Sequence, residues 1–199
     1  MIPRHLTIAV GALLVLVLLL TLYVRHVRTR VAEIQAAAGD TRPVSPPVAG
    51  PGEQVTLYVA YDDLGVLHAQ TALISLPAER QQRAEELLRA LLNTYLAKSS
   101  PHRLAPGSEV RNVYLVDPGL AVIDTNAAFA DSHRSGILVE ELTLASLVES
   151  LAANVAGIDR VRILVDGKAR ETLAGHADLG DSYDVSAIKT MAAQMEAGP

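Results

Sequence analysis

Val110 to Asp124 reads VRNVYLVDPGLAVID, and this stretch sets the fold class. Val110 to Val116 is rich in β-branched and aromatic residues and reads as a strand. Asp117-Pro118-Gly119 is a tight turn, with Pro118 pre-setting φ and Gly119 permitting a positive one. Leu120 to Asp124 returns as the next strand. Toward the N-terminus the same unit recurs. Val55, Leu57, Val59 and Tyr61 alternate along one strand face, Asp62-Asp63-Leu64-Gly65 forms a turn, and Val66 to Ile74 returns. Pro77 then suits the first turn of a helix. That helix carries Ala84, Leu87, Leu88, Leu91, Leu92 and Tyr95 on its apolar stripe and ends near Lys98, before Pro101. Arg83, Glu85, Glu86 and Arg89 are expected to face water.

Toward the C-terminus, a loop leads to a second helix from about Val139, with Leu144, Leu147, Val148, Leu151 and Val155 on one face. Gly157 stands where a C-terminal cap belongs. Val161 to Val165 is a further strand, and Asp166-Gly167 is a strong hairpin turn before a short last strand. Ala187 to Pro199 is a frayed or helical tail. The pattern predicts an α+β domain of order β-β-α-β-β-α-β-β, a largely antiparallel sheet with two helices on one face.

Leu6 to Val24, LTIAVGALLVLVLLLTLYV, is apolar throughout. At about 1.5 Å per residue it matches the ~30 Å hydrocarbon core of a bilayer. Ala36-Ala37-Ala38 resembles a signal-peptide cleavage site but lies well past the run, with Arg25, Arg28 and Arg30 between, so a retained anchor is expected. Pro43, Pro46, Pro47 and Pro51 make the following stretch an extended spacer. The expected organisation is 1–5 short tail, 6–24 transmembrane helix, 25–53 juxtamembrane segment and Pro/Gly-rich linker, 54–185 folded domain, and 186–199 C-terminal tail. One arginine, Arg4, precedes the run and three follow it, which by the positive-inside rule places the domain in the cytoplasm.

Composition excludes several classes. The net charge is −5 and the folded part has no Lys/Arg cluster, so a nucleic-acid partner is not expected. Cys is absent, which rules out disulfides, thiolate metal sites, a cysteine nucleophile and a lipid anchor on an N-terminal cysteine. With Phe at 1 and Trp at 0, the core must be aliphatic.

Asp124, Asn126, Asp131 and His133 cluster after the fourth strand. A hydrolase would use His133 as base with Asp124 or Asp131 as its partner. The simpler reading is loop capping by Asp and Asn. Asp62 and Asp63 could pair as carboxylates but occupy a hairpin turn. His176 and Asp178, with Asp181 and Asp184, lack a metal-ligand spacing, and His5 and His26 flank the apolar run. No catalytic residue, metal or cofactor is therefore expected.

The stretches VTLYVAYDD (55–63), AEELLRALLNTYLAKSSPHRLAPGSEVRNVYLVDPGLAVIDTNAAF (84–129), EELTLASLVESLAANVAGIDRVRILVDGK (140–168) and LAGHADL (173–179) together resemble the GerMN domain family of spore-germination proteins. The ordering carries the likeness: a leucine-rich helix, a Pro-Gly before a strand, a hairpin ending in Asp, then a helix before ILVDG. Ser100-Pro101 departs from the family's common Gly-Pro. The single copy and the transmembrane anchor depart from the family too, whose members are often lipoproteins or tandem-domain chains. The resemblance implies a non-enzymatic envelope module on the extracytoplasmic side, against the arginine count, and a protein or cell-wall polymer is the expected partner. A peptidoglycan hydrolase using the 124–133 loop, and a self-assembling ring or filament subunit, are the alternatives.

Overall fold

The computed structural model describes residues 52–116 and 118–197, all within the second of the chain's two units, Val44–Pro199. The Leu6–Val24 run and most of the spacer lie outside the described residues. Among the described residues no helix is long and apolar enough to cross a membrane.

The elements run β1 (Gly52–Tyr61), β2 (Val66–Ser75), α1 (Arg80–Leu96), β3 (Val110–Val116), β4 (Leu120–Thr125), α2 (Ala127–Asp131), α3 (Ile137–Asn154), β5 (Arg160–Val165), β6 (Tyr183–Asp184) and α4 (Val185–Ala197). The class is α+β, and antiparallel pairing predominates: β1 with β2, β3 with β4, and β5 with β6.

Three features differ from the sequence reading. The strands form two sheets, β1-β2 and β3-β4-β5-β6, in place of one. β4 and β5 pair in parallel, Leu120 opposite Arg160 through Thr125 opposite Val165. The reason is the crossover: α3 carries the chain back to the end of the sheet where β4 began, so β5 must run the same way. Asp166-Gly167 does form a two-residue turn, with φ of 51° and 70°. Its ladder stops at one bridge, Val165 to Lys168, because the residues that follow lack strand alternation. The last strand is instead Tyr183–Asp184.

Both helix stripes face inward. Leu87, Leu88, Leu91, Leu147, Val148 and Leu151 are wholly buried, each burial contributing about 1.5–3 kcal/mol. Helix α3 is buried at every position from Leu142 to Leu151, so packing encloses it on all sides. The C-terminal stretch is helical to Ala197 and adds Val185, Ile188 and Ala192 to the same core.

Candidate functional site

Five side chains, Asp62, His102, His133, Arg134 and Thr143, meet at the end of the domain that holds the β1–β2 turn and the start of α3. Asp62, in the turn, receives the ring Nδ1–H of His102 at 2.6 Å and the Arg134 guanidinium at 2.7 Å. The other ring nitrogen of His102 lies 2.8 Å from the Thr143 hydroxyl, and Nε2 of His133 lies 2.8 Å from the same oxygen. His133 Nδ1–H donates to the Arg134 carbonyl at 2.8 Å. His102 also packs edge-on against Tyr95, with ring centroids 4.8 Å apart.

Asp62, His102 and Thr143 thus stand in the order and spacing of a carboxylate–imidazole–hydroxyl triad. Access argues against nucleophilic use. Thr143 is 1% exposed and His102 1%, and the hydroxyl also donates to Val139 carbonyl within its own helix at 2.9 Å. A reacting carbonyl would have to enter the core to reach it. Burial lowers the pKa of His102, which Asp62 opposes, and burial likewise lowers that of His133. The arrangement does what a buried polar network does, tying the β1–β2 turn to the 102 and 133 loops through α3.

The residues singled out from sequence are dispersed into local bonds. His133 takes neither Asp124 nor Asp131 as partner. Asp124 accepts from the Gly167 backbone N–H at 2.7 Å and so braces the turn after β5. Asn126 caps α2, accepting from Phe129 and Glu109 N–H at 3.1 Å each. Asp131 pairs with Arg170 at the surface. Asp178 accepts from Gly180 N–H at 2.7 Å, while Asp63, Asp181 and Asp184 are exposed. Among the described residues no three His, Asp or Glu side chains converge to hold a metal ion. The hollow beside Arg80, Leu115 and Ile158 is shallow and open to solvent.

His176 is held by a residue the sequence did not flag. Glu140 is fully buried and accepts backbone N–H bonds from Gly136, Ala174, His176 and Ala177 at 2.9–3.1 Å, plus the His176 ring at 2.9 Å. Burial alone would push this carboxyl up; the donors outweigh it and hold the pKa at about 2. One carboxylate therefore fastens the 174–177 loop to the start of α3.

The treatment of strand edges is the feature most relevant to recognition. The outer edge of β1 is closed by side chains. Asn154 bonds both the N–H and the carbonyl of Thr56 at 3.0 and 2.7 Å, Ser150 accepts from Tyr58 N–H at 2.8 Å, Ser146 donates to Tyr58 carbonyl at 2.6 Å, and Tyr95 hydroxyl accepts from Ala60 N–H at 2.9 Å. Ser146, Ser150 and Asn154 recur every fourth residue of α3, so one helical row imitates a neighbouring strand. The outer edge of β3 is closed by α1, where Glu85 accepts from Val113 N–H at 3.2 Å and Arg89 donates to Arg111 carbonyl at 3.4 Å. Glu85, expected to face water, is buried for this reason. β6 has only 2 residues.

β2 is treated differently. Thr56, Tyr58 and Ala60 turn their backbone groups away from β2, so their opposite partners Thr71, Ala69 and Leu67 turn theirs away from β1. Among the described residues none hydrogen-bonds these groups. β2 is 10 residues long, VLHAQTALIS, without a charge or a proline, and His68 to Thr71 are exposed on both faces. Leu73 is 75% exposed. Natural proteins protect such edges with charges, prolines or bulges, and β2 carries none of these.

Comparison with known proteins gives the family. Among curated proteins none matches the chain. The tandem GerMN domains of the sporulation protein GerM from Bacillus subtilis match with a TM-score of 0.51 and 21% identity, over 66% of this chain and 46% of that one. The chain thus spans less than half the length of that structure. The first GerMN domain of the same protein matches with a TM-score of 0.47 and 21% identity, over 66% of this chain and 97% of that one. A family model, Germane, described as "Sporulation and spore germination", matches residues 56–171, more than half of the chain. With that match running from β1 through β5, the chain belongs to the Germane, or GerMN-domain, family.

Proposed function

We propose that this chain is a non-catalytic binding module, anchored in the cell membrane by Leu6–Val24, with its domain on the extracytoplasmic side and a protein partner docked on β2. The open edge of β2 carries this reading. The fold closes the outer edges of β1 and β3 with buried polar side chains and, among the described residues, leaves the edge of β2 from His68 onward without a hydrogen-bonding partner. An uncovered strand edge recognises another extended backbone, alternate amides supplying affinity and the side chains between them specificity. A backbone edge suits a protein better than a wall polymer, which lacks the matching repeat of N–H and C=O groups. The family's description as sporulation and spore germination, the apolar N-terminal run and the proline-rich spacer fit an envelope module that reaches away from a bilayer.

The test is Thr71→Pro. Thr71 points its N–H away from β1, so proline there deletes an outward donor and leaves the β1–β2 ladder whole. The variant should fold with a melting temperature within a few degrees of the parent, and should fail to complement a strain lacking the protein. Full complementation by a folded Thr71→Pro chain would remove β2 from the account.

A further inference from the structure

We infer that the partner on β2 is a second copy of this chain, joined strand to strand in antiparallel fashion about a two-fold axis through Gln70. This rests on the reading of β2 as the docking edge. The observation that selects a second copy is the sequence of the strand itself. About Gln70, VLHAQTALI reads nearly the same in both directions: Ala69 mirrors Thr71, Leu67 mirrors Leu73, and Val66 mirrors Ile74. A two-fold antiparallel pair makes each residue meet its mirror position on the other strand. At the exposed centre of the strand a small residue, Ala69, then meets a small residue, Thr71, and Gln70 meets Gln70.

The register also fits the backbone. Leu67, Ala69, Thr71 and Leu73 are the residues whose N–H and carbonyl groups point outward, as their pairing with Ala60, Tyr58, Thr56 and Gln54 requires. In the register centred on Gln70, Ala69 exchanges its two bonds with Thr71 of the second copy, and Thr71 with Ala69. These are the exposed outward groups at the centre of the strand, whereas Leu67 is enclosed in its own core. Moving the centre to a point between two residues would set outward groups against inward ones, and moving it by a whole residue, to Ala69 or Thr71, keeps outward groups opposed but leaves the mirror pairs unmatched.

Charge points the same way. Self-pairing about an axis sets each charge near its own copy, where like charges directly opposed repel. β2 has no Asp, Glu, Lys or Arg, so the edge meets its copy without that penalty. The chain's own 43–51 segment is a poor alternative occupant, because Pro43, Pro46, Pro47 and Pro51 lack the N–H groups a strand must donate.

The absence of cysteine makes the test direct. In the full-length chain in its own membrane, Gln70→Cys should oxidise to a disulfide-linked dimer, since directly opposed residues of a non-hydrogen-bonded pair lie about 4.5–5.5 Å apart. His68→Cys and Ala72→Cys should each stay monomeric alone and cross-link when co-expressed, because 68 of one copy faces 72 of the other. Gln70→Lys and Gln70→Glu should each lose complementation alone and recover it together. A Gln70→Cys chain that stays monomeric under oxidation overturns the inference, as does His68→Cys cross-linking alone as readily as Gln70→Cys. In either case, lost complementation by Gln70→Lys, unrecovered by Gln70→Glu, leaves β2 as the docking edge for a different protein. Full complementation by Gln70→Lys would sink both the inference and the docking edge.

Discussion

Replacing Glu140 by glutamine should destabilise the domain by an amount that shrinks as the pH falls. The carboxylate has no exposed surface and accepts five hydrogen bonds, three of them on one oxygen from the N–H groups of Ala174, His176 and Ala177. Glutamine keeps the shape but sets an NH₂ group against one set of these donors. The pKa falls from 4.5 to about 2 on folding, which at ~1.36 kcal/mol per unit is about 3 kcal/mol of stability at neutral pH. Because the folded value is the lower one, that contribution is complete above pH ~4.5 and is lost as pH falls toward ~2. Urea unfolding of a chain beginning at Gly52 would measure it. At pH 7 Glu140→Gln should be less stable by about 3 kcal/mol, or about 10 °C in Tm. At pH 3 the gap should close to about 1.5 kcal/mol. A gap of the same size at both pH values would show that the loss is steric and that the carboxylate charge does not fasten the loop.

Other outcomes follow from the same contacts. Asn154→Ala leaves the N–H and carbonyl of Thr56 without their partner and should cost about 2 kcal/mol in urea unfolding, while Asn154→Asp, which keeps the acceptor, should cost less. Val148→Asp places an unpaired charge at a wholly buried site and should abolish the cooperative unfolding transition seen by circular dichroism. A phosphatase fused at Pro199 should be active outside the cytoplasm; an inactive fusion, matched by a fluorescent cytoplasmic one, would uphold the count of Arg25, Arg28 and Arg30 and overturn the proposed side.

Local pattern announced the elements, and tertiary context decided their partners. The hairpins about Gly65 and Gly119 were legible because alternation and turn residues are properties of neighbouring positions. The stripes of α1 and α3 were legible for the same reason: Leu91 and Val148 sit in the core as their spacing requires. The parallel pairing of β4 with β5 was not, because it depends on which end of the sheet α3 returns the chain to. Ser146, Ser150 and Asn154 carry a detectable signal, a polar row at four-residue spacing on a leucine-rich helix, yet such a row ordinarily reads as a solvated face. Glu85 and Glu140 were hidden likewise, since a charged residue on a helix is buried only when backbone donors elsewhere in the chain meet it. His102 gave no local hint of its bond to Asp62, 40 residues earlier.

Hydrogen exchange at the β2 edge tests the central claim most directly. The amides of Ala69, Thr71 and Leu73 have no acceptor among the described residues, whereas the alternate amides of β2 are tied to β1. In the purified chain at high dilution the outward amides should exchange rapidly. In native membranes, where the edge is occupied, they should slow by about tenfold or more, with the inward amides unchanged. Equal exchange of the outward amides in both states would mean that the edge stands empty where the protein works, and would contradict a binding role for β2.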